Sequence, residues 1–142
     1  MPQTGAVLND VDAGVAALLE NVAWLQAFLA FRGLPRPRGT AAAQINDKVF
    51  KVGRTTGLTR GEVKDIATIV GPISYSPGPC WFRRSLTIEG NNGTMFSDHG
   101  DSGSAILRDN GEVVGLLYAG NGQQTYACPI DAVLQALGCT LA

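Results

Sequence analysis

In Val49-Phe50-Lys51-Val52-Gly53-Arg54-Thr55-Thr56-Gly57-Leu58-Thr59-Arg60-Gly61-Glu62-Val63, two extended runs meet at glycines. Lys48 to Val52 is short and apolar-rich, Gly53 to Gly61 supplies a turn, and Glu62 to Val70 is rich in Val, Ile and Thr. β-Branched side chains pack well on a pleated surface, and glycine reaches turn conformations that other residues avoid. The stretch therefore predicts a β-hairpin. Gly53-Arg54-Thr55-Thr56-Gly57 resembles a phosphate loop only superficially. It lacks Gly-Lys-Ser/Thr and a following helical pattern, so it reads as a hairpin turn and not a nucleotide site.

Downstream the β pattern continues. Three prolines between Gly71 and Pro79 read as a break. Trp81 to Glu89 follows, with Leu86 and Ile88 on one face and Ser85 and Thr87 on the other. Gly90-Asn91-Asn92-Gly93 is a turn, Gly103 to Leu107 a short strand, and Asp109-Asn110-Gly111 a hairpin signal. Glu112 to Tyr118 and, past Asn121-Gly122, Gln124 to Cys128 are two more strands. Six short strands between residues 47 and 128, separated by glycine turns, predict a mainly β domain: one six-stranded antiparallel barrel. Apolar residues at helical spacing from Asp131 to Leu137 predict a short closing helix.

The chain changes character near residue 40. Residues 1–43 read as an N-terminal extension and linker, and residues 44–142 as the β domain. Ala, Leu, Glu and Gln dominate from Asp12 to Phe31, so local propensity there favours helix. Gly33-Leu34-Pro35-Arg36-Pro37-Arg38-Gly39 reads as an extended loop.

At 45% hydrophobic and 16% charged residues, the composition suits a packed core and argues against disorder. A net charge of -1 gives no pull on a polyanion, and the arginines come in pairs, so no nucleic-acid partner is expected. Cys80, Cys128 and Cys139 are an odd number and read as thiols. They have no metal-ligand spacing with the single histidine, and no cofactor or metal is expected. Glu20, Asn21 and Gln26 interrupt the Ala13–Phe31 stretch, so no membrane span is expected. The first residues, Met1-Pro2-Gln3-Thr4, carry no basic leader, which favours a cytoplasmic location.

The chemistry concentrates in Gly100-Asp101-Ser102-Gly103-Ser104. A serine nucleophile needs its hydroxyl on a tight turn beside backbone N–H donors, and flanking glycines allow such a turn. The plain alternative is that Gly-Asp and Ser-Gly are turn dipeptides.

Several stretches in order resemble the second barrel of bacterial, chymotrypsin/trypsin-like serine peptidases. They are Val49–Val63, the Gly100–Ser104 turn, Val114-Gly115-Leu116-Leu117-Tyr118-Ala119-Gly120, and Tyr126-Ala127-Cys128-Pro129-Ile130 with its following helix. The resemblance covers residues 44 to 138 and implies peptide-bond hydrolysis, with a peptide or protein as substrate. It implies Ser102 as nucleophile, Gly100 and Ser102 as oxyanion-hole donors, and Asp101 as support inside the turn. Tyr118, Ala119 and Gly120 would hold substrate backbone, Phe96 would sit near the pocket floor, and His99 would contact substrate.

Such an enzyme also needs a general base, because a serine hydroxyl is too weakly acidic to attack an amide unaided. The only histidine is His99, three residues from Ser102 on the same loop; by the resemblance it does not face the nucleophile. Asn9-Asp10-Val11-Asp12-Ala13-Gly14 resembles the segment bearing the orienting carboxylate, with Asp12 as its match; a helix cap is the equal alternative. The resemblance thus implies a second barrel with the end of the first, the histidine-bearing part being absent. Three readings stay open: half of an enzyme whose histidine comes from a partner chain or an oligomer, an inactive peptide-binding module, and a truncated product without a function of its own.

Overall fold

Neighbouring residues along the strands of this protein bury on opposite sides. The computed structural model describes residues 2, 5–28 and 31–142. β1 is Leu8–Asn9, β2 Lys48–Gly53, β3 Gly57–Tyr75, β4 Gly78–Gly90, β5 Ala105–Arg108, β6 Val113–Gly120 and β7 Gln124–Pro129; helix α1 is Ile130–Leu137. Val49, Ile106, Val114, Leu117 and Ala127 enter one apolar cluster. Phe50, Leu107, Val113, Tyr118 and Cys128, their immediate neighbours, enter a second. Side chains alternate across a strand, so along β2, β5, β6 and β7 both faces are largely covered, whereas Lys64–Ala67 of β3 lie exposed.

The architecture corrects the expected fold. In place of a single six-stranded barrel there is one seven-stranded sheet in the order β1-β4-β3-β2-β5-β6-β7, with β7 also pairing β4. The added strand, β1, comes from the N-terminal extension and runs parallel to β4, Leu8 beside Trp81 and Asn9 beside Phe82. The expected break between Gly71 and Pro79 is largely strand, because β3 and β4 form one long hairpin. Beyond Glu62, β3 has only β4 beside it, and proline is tolerated on such an edge because no ladder bond is lost.

The N-terminal helix expected over Asp12–Phe31 does not form in the described residues; 11–28 are irregular. Helix propensity is worth tenths of a kcal/mol per residue, and helices in proteins persist through tertiary packing of an apolar face. Here that packing is missing: Leu19 is 73% exposed and Trp24 63%. The extension is instead held at its ends. Asn9 donates to Trp81 O, Arg83 pairs with Asp10, and Gly39 and Ala41 bracket Val113. No helix among the described residues is long and apolar enough to cross a membrane.

The closing helix forms as expected. Ile130 and Val133 bury against the second cluster, and Gly138, at φ +63°, ends the helix in the left-handed conformation.

Phe50 is fully buried, edge-on to Phe28 at 5.9 Å between centroids. Phe50→Ala is expected to cost about 3–5 kcal/mol in urea unfolding. Ile66→Ala, at a side chain already 40% exposed, is expected to change stability by under about 0.5 kcal/mol.

Candidate active site

The loop from Asp98 to Ser104 is built around one buried carboxylate. Asp101 Oδ1 accepts Thr55 N at 2.8 Å and Thr56 N at 3.2 Å. Its Oδ2 accepts Thr56 Oγ1 at 2.6 Å and Asp98 N at 3.0 Å. Lys51 Nζ stands 3.6 Å from Oδ2, and both side chains are 0% exposed. Lys51 also donates to Thr56 Oγ1 at 2.5 Å and to Gly57 O at 3.0 Å. The β2–β3 turn thus wraps the carboxylate of a residue nearly fifty positions on.

Close approach fixes two glycines. A Cβ at Gly53 would collide with the Asp101 carboxylate. A Cβ at Gly100 would collide with Thr55 Oγ1, and Gly100 has φ +101°. Thr55 Oγ1 meanwhile donates to His99 O at 2.7 Å. The far end of the loop is tied by Ser104 Oγ to Asp101 O at 2.6 Å and by Gly103 N to Leu117 O at 2.8 Å.

Burial would push the Asp101 carboxyl up. The donors from Thr56, Asp98 and Thr55 outweigh it and hold Asp101 well below the usual carboxylate range. Burial pulls Lys51 below its ordinary value, and the attraction of Asp101 opposes this.

On this frame Ser102 is exposed, and its Oγ donates to Tyr118 O at 3.4 Å. Among the described residues, no protein acceptor takes the N–H of Gly100 or of Ser102. His99 lines the same cavity as Ser102, but its ring makes no hydrogen bond to that hydroxyl. His99 is the single histidine, so no Ser-His-Asp arrangement is present among the described residues.

Two cavities meet at Ser102. The first, about 580 Å³, is lined by Ser97, Asp98, His99, Ser102 and Leu117–Gly122, with Pro72 and Ile73 across from them. Ala119 and Gly120 lie on its wall. The Tyr118 side chain points away, its hydroxyl on Ser85 Oγ at 2.6 Å and its ring against Phe82. β5 pairs β6 only as far as Leu116, so Tyr118–Gly120 have no strand on that side. Phe96 does not line this cavity. Its ring is buried against Gly61 and under Lys51, and Ser97 holds the wall position.

The second cavity, about 500 Å³, has Asp12 and Ser102 on its walls, together with Tyr75 and Leu116–Tyr118. The Asp12 carboxylate accepts the Tyr75 hydroxyl, and its backbone N–H points to Cys128 Sγ at 3.3 Å. Burial, then the Asp12 carboxylate, raises Tyr75 above the ordinary phenol range, so it stays a donor. Asp12 caps no helix in this structure.

Comparison with solved structures places this geometry in a class. The chymotrypsin of Cellulomonas bogoriensis superposes with a TM-score of 0.58 at 27% identity, over 73% of this chain and 54% of that one. Protease A of Thermobifida fusca gives 0.61 at 22% identity, over 75% and 54%. A Nocardiopsis protease gives 0.57 at 21%, over 73% and 52%. The protein is therefore related to the chymotrypsin/trypsin-like serine-peptidase superfamily, and it spans about half the length of these structures. Residues 38–127 match the model of the Nal1 C-terminal domain, and the chain belongs to that family. No curated protein matches it.

The Lys51 partnership was not visible in the sequence, where Lys51 is one polar residue in an apolar run. Lys51→Met leaves Asp101 charged and unpaired in the interior, and it is expected to cost about 3–5 kcal/mol of stability in urea unfolding. The depressed Asp101 pKa contributes stability that is present above its unfolded value, about 3.9. That contribution is lost as pH falls below this value toward the folded pKa. Urea midpoints followed from neutral pH into acid are expected to fall less steeply for Asp101→Asn than for the wild type below about pH 4.

Proposed function

We propose that this protein is the nucleophile-bearing part of a serine-peptidase site, in which Ser102 attacks a peptide carbonyl and the imidazole comes from another body. The observation that carries this reading is the cavity shared by Asp12 and Ser102, with a carboxylate on one wall and a hydroxyl on another. An imidazole seated there would take the Ser102 proton, and Asp12 would orient it and stabilise its charged form. The N–H groups of Gly100 and Ser102 would receive the oxyanion. Substrate backbone would add as a strand to the open edge at Tyr118–Gly120, with His99 at the cavity mouth.

The partner is a histidine-bearing chain or a second copy bringing its His99. Val15, Leu18, Leu19, Val22, Trp24 and Leu25 are all exposed in the segment that follows Asp12. Large apolar patches on a soluble surface mark interaction sites, and a body covering this segment adjoins the Asp12–Ser102 cavity. Alone, the chain keeps oxyanion stabilisation and binding, which in triad-deleted peptidases sustain about 10³–10⁴-fold acceleration.

One observation favours a second reading, an inactive peptide-binding module: the Ser102 hydroxyl is bonded to a backbone carbonyl and not to a base.

Fluorophosphonate labelling read by intact mass separates the two. The isolated chain is expected to label only slightly faster than Ser102→Ala. Added free imidazole is expected to accelerate wild-type labelling saturably, and Asp12→Ala to remove most of that acceleration. Fast labelling without imidazole, lost in Ser102→Ala, would show that the chain has its own base. No acceleration by imidazole would leave the binding module.

A further inference from the structure

Asp12 is held by partners distant in sequence, and they decide how its carboxylate is presented. Its backbone N–H donates to Cys128 Sγ at 3.3 Å, and its carbonyl accepts the same thiol at 3.9 Å. Cys128 is 1% exposed, and burial pushes its thiol up, so it keeps the proton that makes it a donor. The side chain is held separately: Oδ2 accepts the Tyr75 hydroxyl. Among the described residues Oδ1 has no hydrogen-bond or ion-pair partner. No buried side-chain oxygen among them lacks one, so Oδ1 is open, and Asp12 lines the cavity that it shares with Ser102.

Tyr75 is rigidly mounted. It is the last residue of β3 and lines the same cavity. Its ring tilts against Phe82 at 6.1 Å between centroids. Phe82, 4% exposed, lies 4.9 Å from the Tyr118 ring on β6. The phenol is thus anchored, through Phe82, to the strand that forms the cavity wall. A hydroxyl bonded to an ionised carboxylate makes one of the stronger hydrogen bonds in proteins. The bond has work to do, because the terminal torsion of an aspartate is broad and leaves the carboxylate free to turn.

We infer that Tyr75 is a positioning residue for the base: by occupying Oδ2 it fixes the plane of the Asp12 carboxylate and reserves Oδ1 for the N–H of the imidazole. The inference rests on the peptidase reading. One imidazole nitrogen takes the Ser102 proton as Oγ attacks the carbonyl, and the N–H on the other nitrogen donates to Oδ1. A carboxylate already held in one orientation stabilises the imidazolium without first having to turn. Tyr75 touches neither substrate nor serine, and it keeps its own proton throughout. A phenol that merely filled the seat of the imidazole would have the opposite effect, and its removal would speed the reaction.

The test compares two small bases in fluorophosphonate labelling of the full chain. Imidazole has a nitrogen to accept the Ser102 proton and an N–H to give Asp12. N-Methylimidazole has the first and lacks the second. In the wild type, imidazole is expected to accelerate labelling at least about tenfold more than N-methylimidazole at equal concentration, the value of a hydrogen bond to a charged group. Tyr75→Phe keeps the ring on Phe82 and is expected to shrink that ratio to about threefold or less. Lost packing alone would slow both bases equally; an intact ratio in Tyr75→Phe would therefore overturn the assignment. Faster labelling of Tyr75→Phe with imidazole would overturn it too. Asp12→Ala separates this inference from the reading beneath it. A ratio lost in Asp12→Ala but kept in Tyr75→Phe removes only the role of Tyr75. No preference for imidazole in the wild type removes the pairing of Asp12 with an imidazole, and the role of Tyr75 with it.

Discussion

Asp101 is an ion with no access to water, and the organisation of the loop follows from the need to satisfy it. A buried carboxylate is tolerated when hydrogen bonds and an opposite charge replace its hydration. Here two backbone N–H groups from the β2–β3 turn, a threonine hydroxyl, the N–H of Asp98 and the Lys51 ammonium do so. Every one of these donors constrains a piece of backbone. The turn after β2 must curl over the carboxylate, which leaves no room for a side chain at Gly53 or Gly100. The loop is held from both ends, and Ser102 is what it leaves outside.

Much of this was legible in the residues. Six of the strands, the turns between most of them and the closing helix follow from short apolar runs punctuated by glycine. The Gly100–Ser104 turn is the strongest local feature, although taken alone its dipeptides also read as a plain turn. What escaped is what depends on partners distant in sequence. Lys51 is a strand residue by pattern, and only the folded chain brings Asp101 to it. Pro72 and Pro79 argue against strands unless β3 and β4 are known to have open outer edges there. The Asp12–Phe31 segment has the composition of a helix, yet residues 14–25 stay exposed, and composition cannot report a missing neighbour. Sheet order and the pairing of β4 with both β3 and β7 are likewise global facts.

The site is asymmetric in a way that the sequence hints at and the geometry specifies. The Ser102 hydroxyl, Ser97 and the open strand edge at Ala119 and Gly120 share the first cavity. On the other side the carboxylate of Asp12 engages Tyr75 across the second cavity. The two cavities share Leu117 and Tyr118 of β6, so both are built on this one strand.

The two-faced core also changes what polarity can enforce. In a sheet with one wet face, a strand that slips by one residue exposes its apolar side chains and is rejected. In β6 a slip would exchange Val113 for Val114 and Leu117 for Tyr118, moving each from one buried cluster to the other with little loss of apolar contact. Hydrophobicity alone leaves such mispaired folds as close competitors. What distinguishes the native register is its handedness in detail. Tyr118 must meet Ser85, Ser97 must meet Thr125, and Gly115, where an added Cβ would lie 3.0 Å from Leu86, must face that side chain. These buried hydroxyl pairs and close glycine contacts act as registration marks, and they select one alignment among several that are equally greasy.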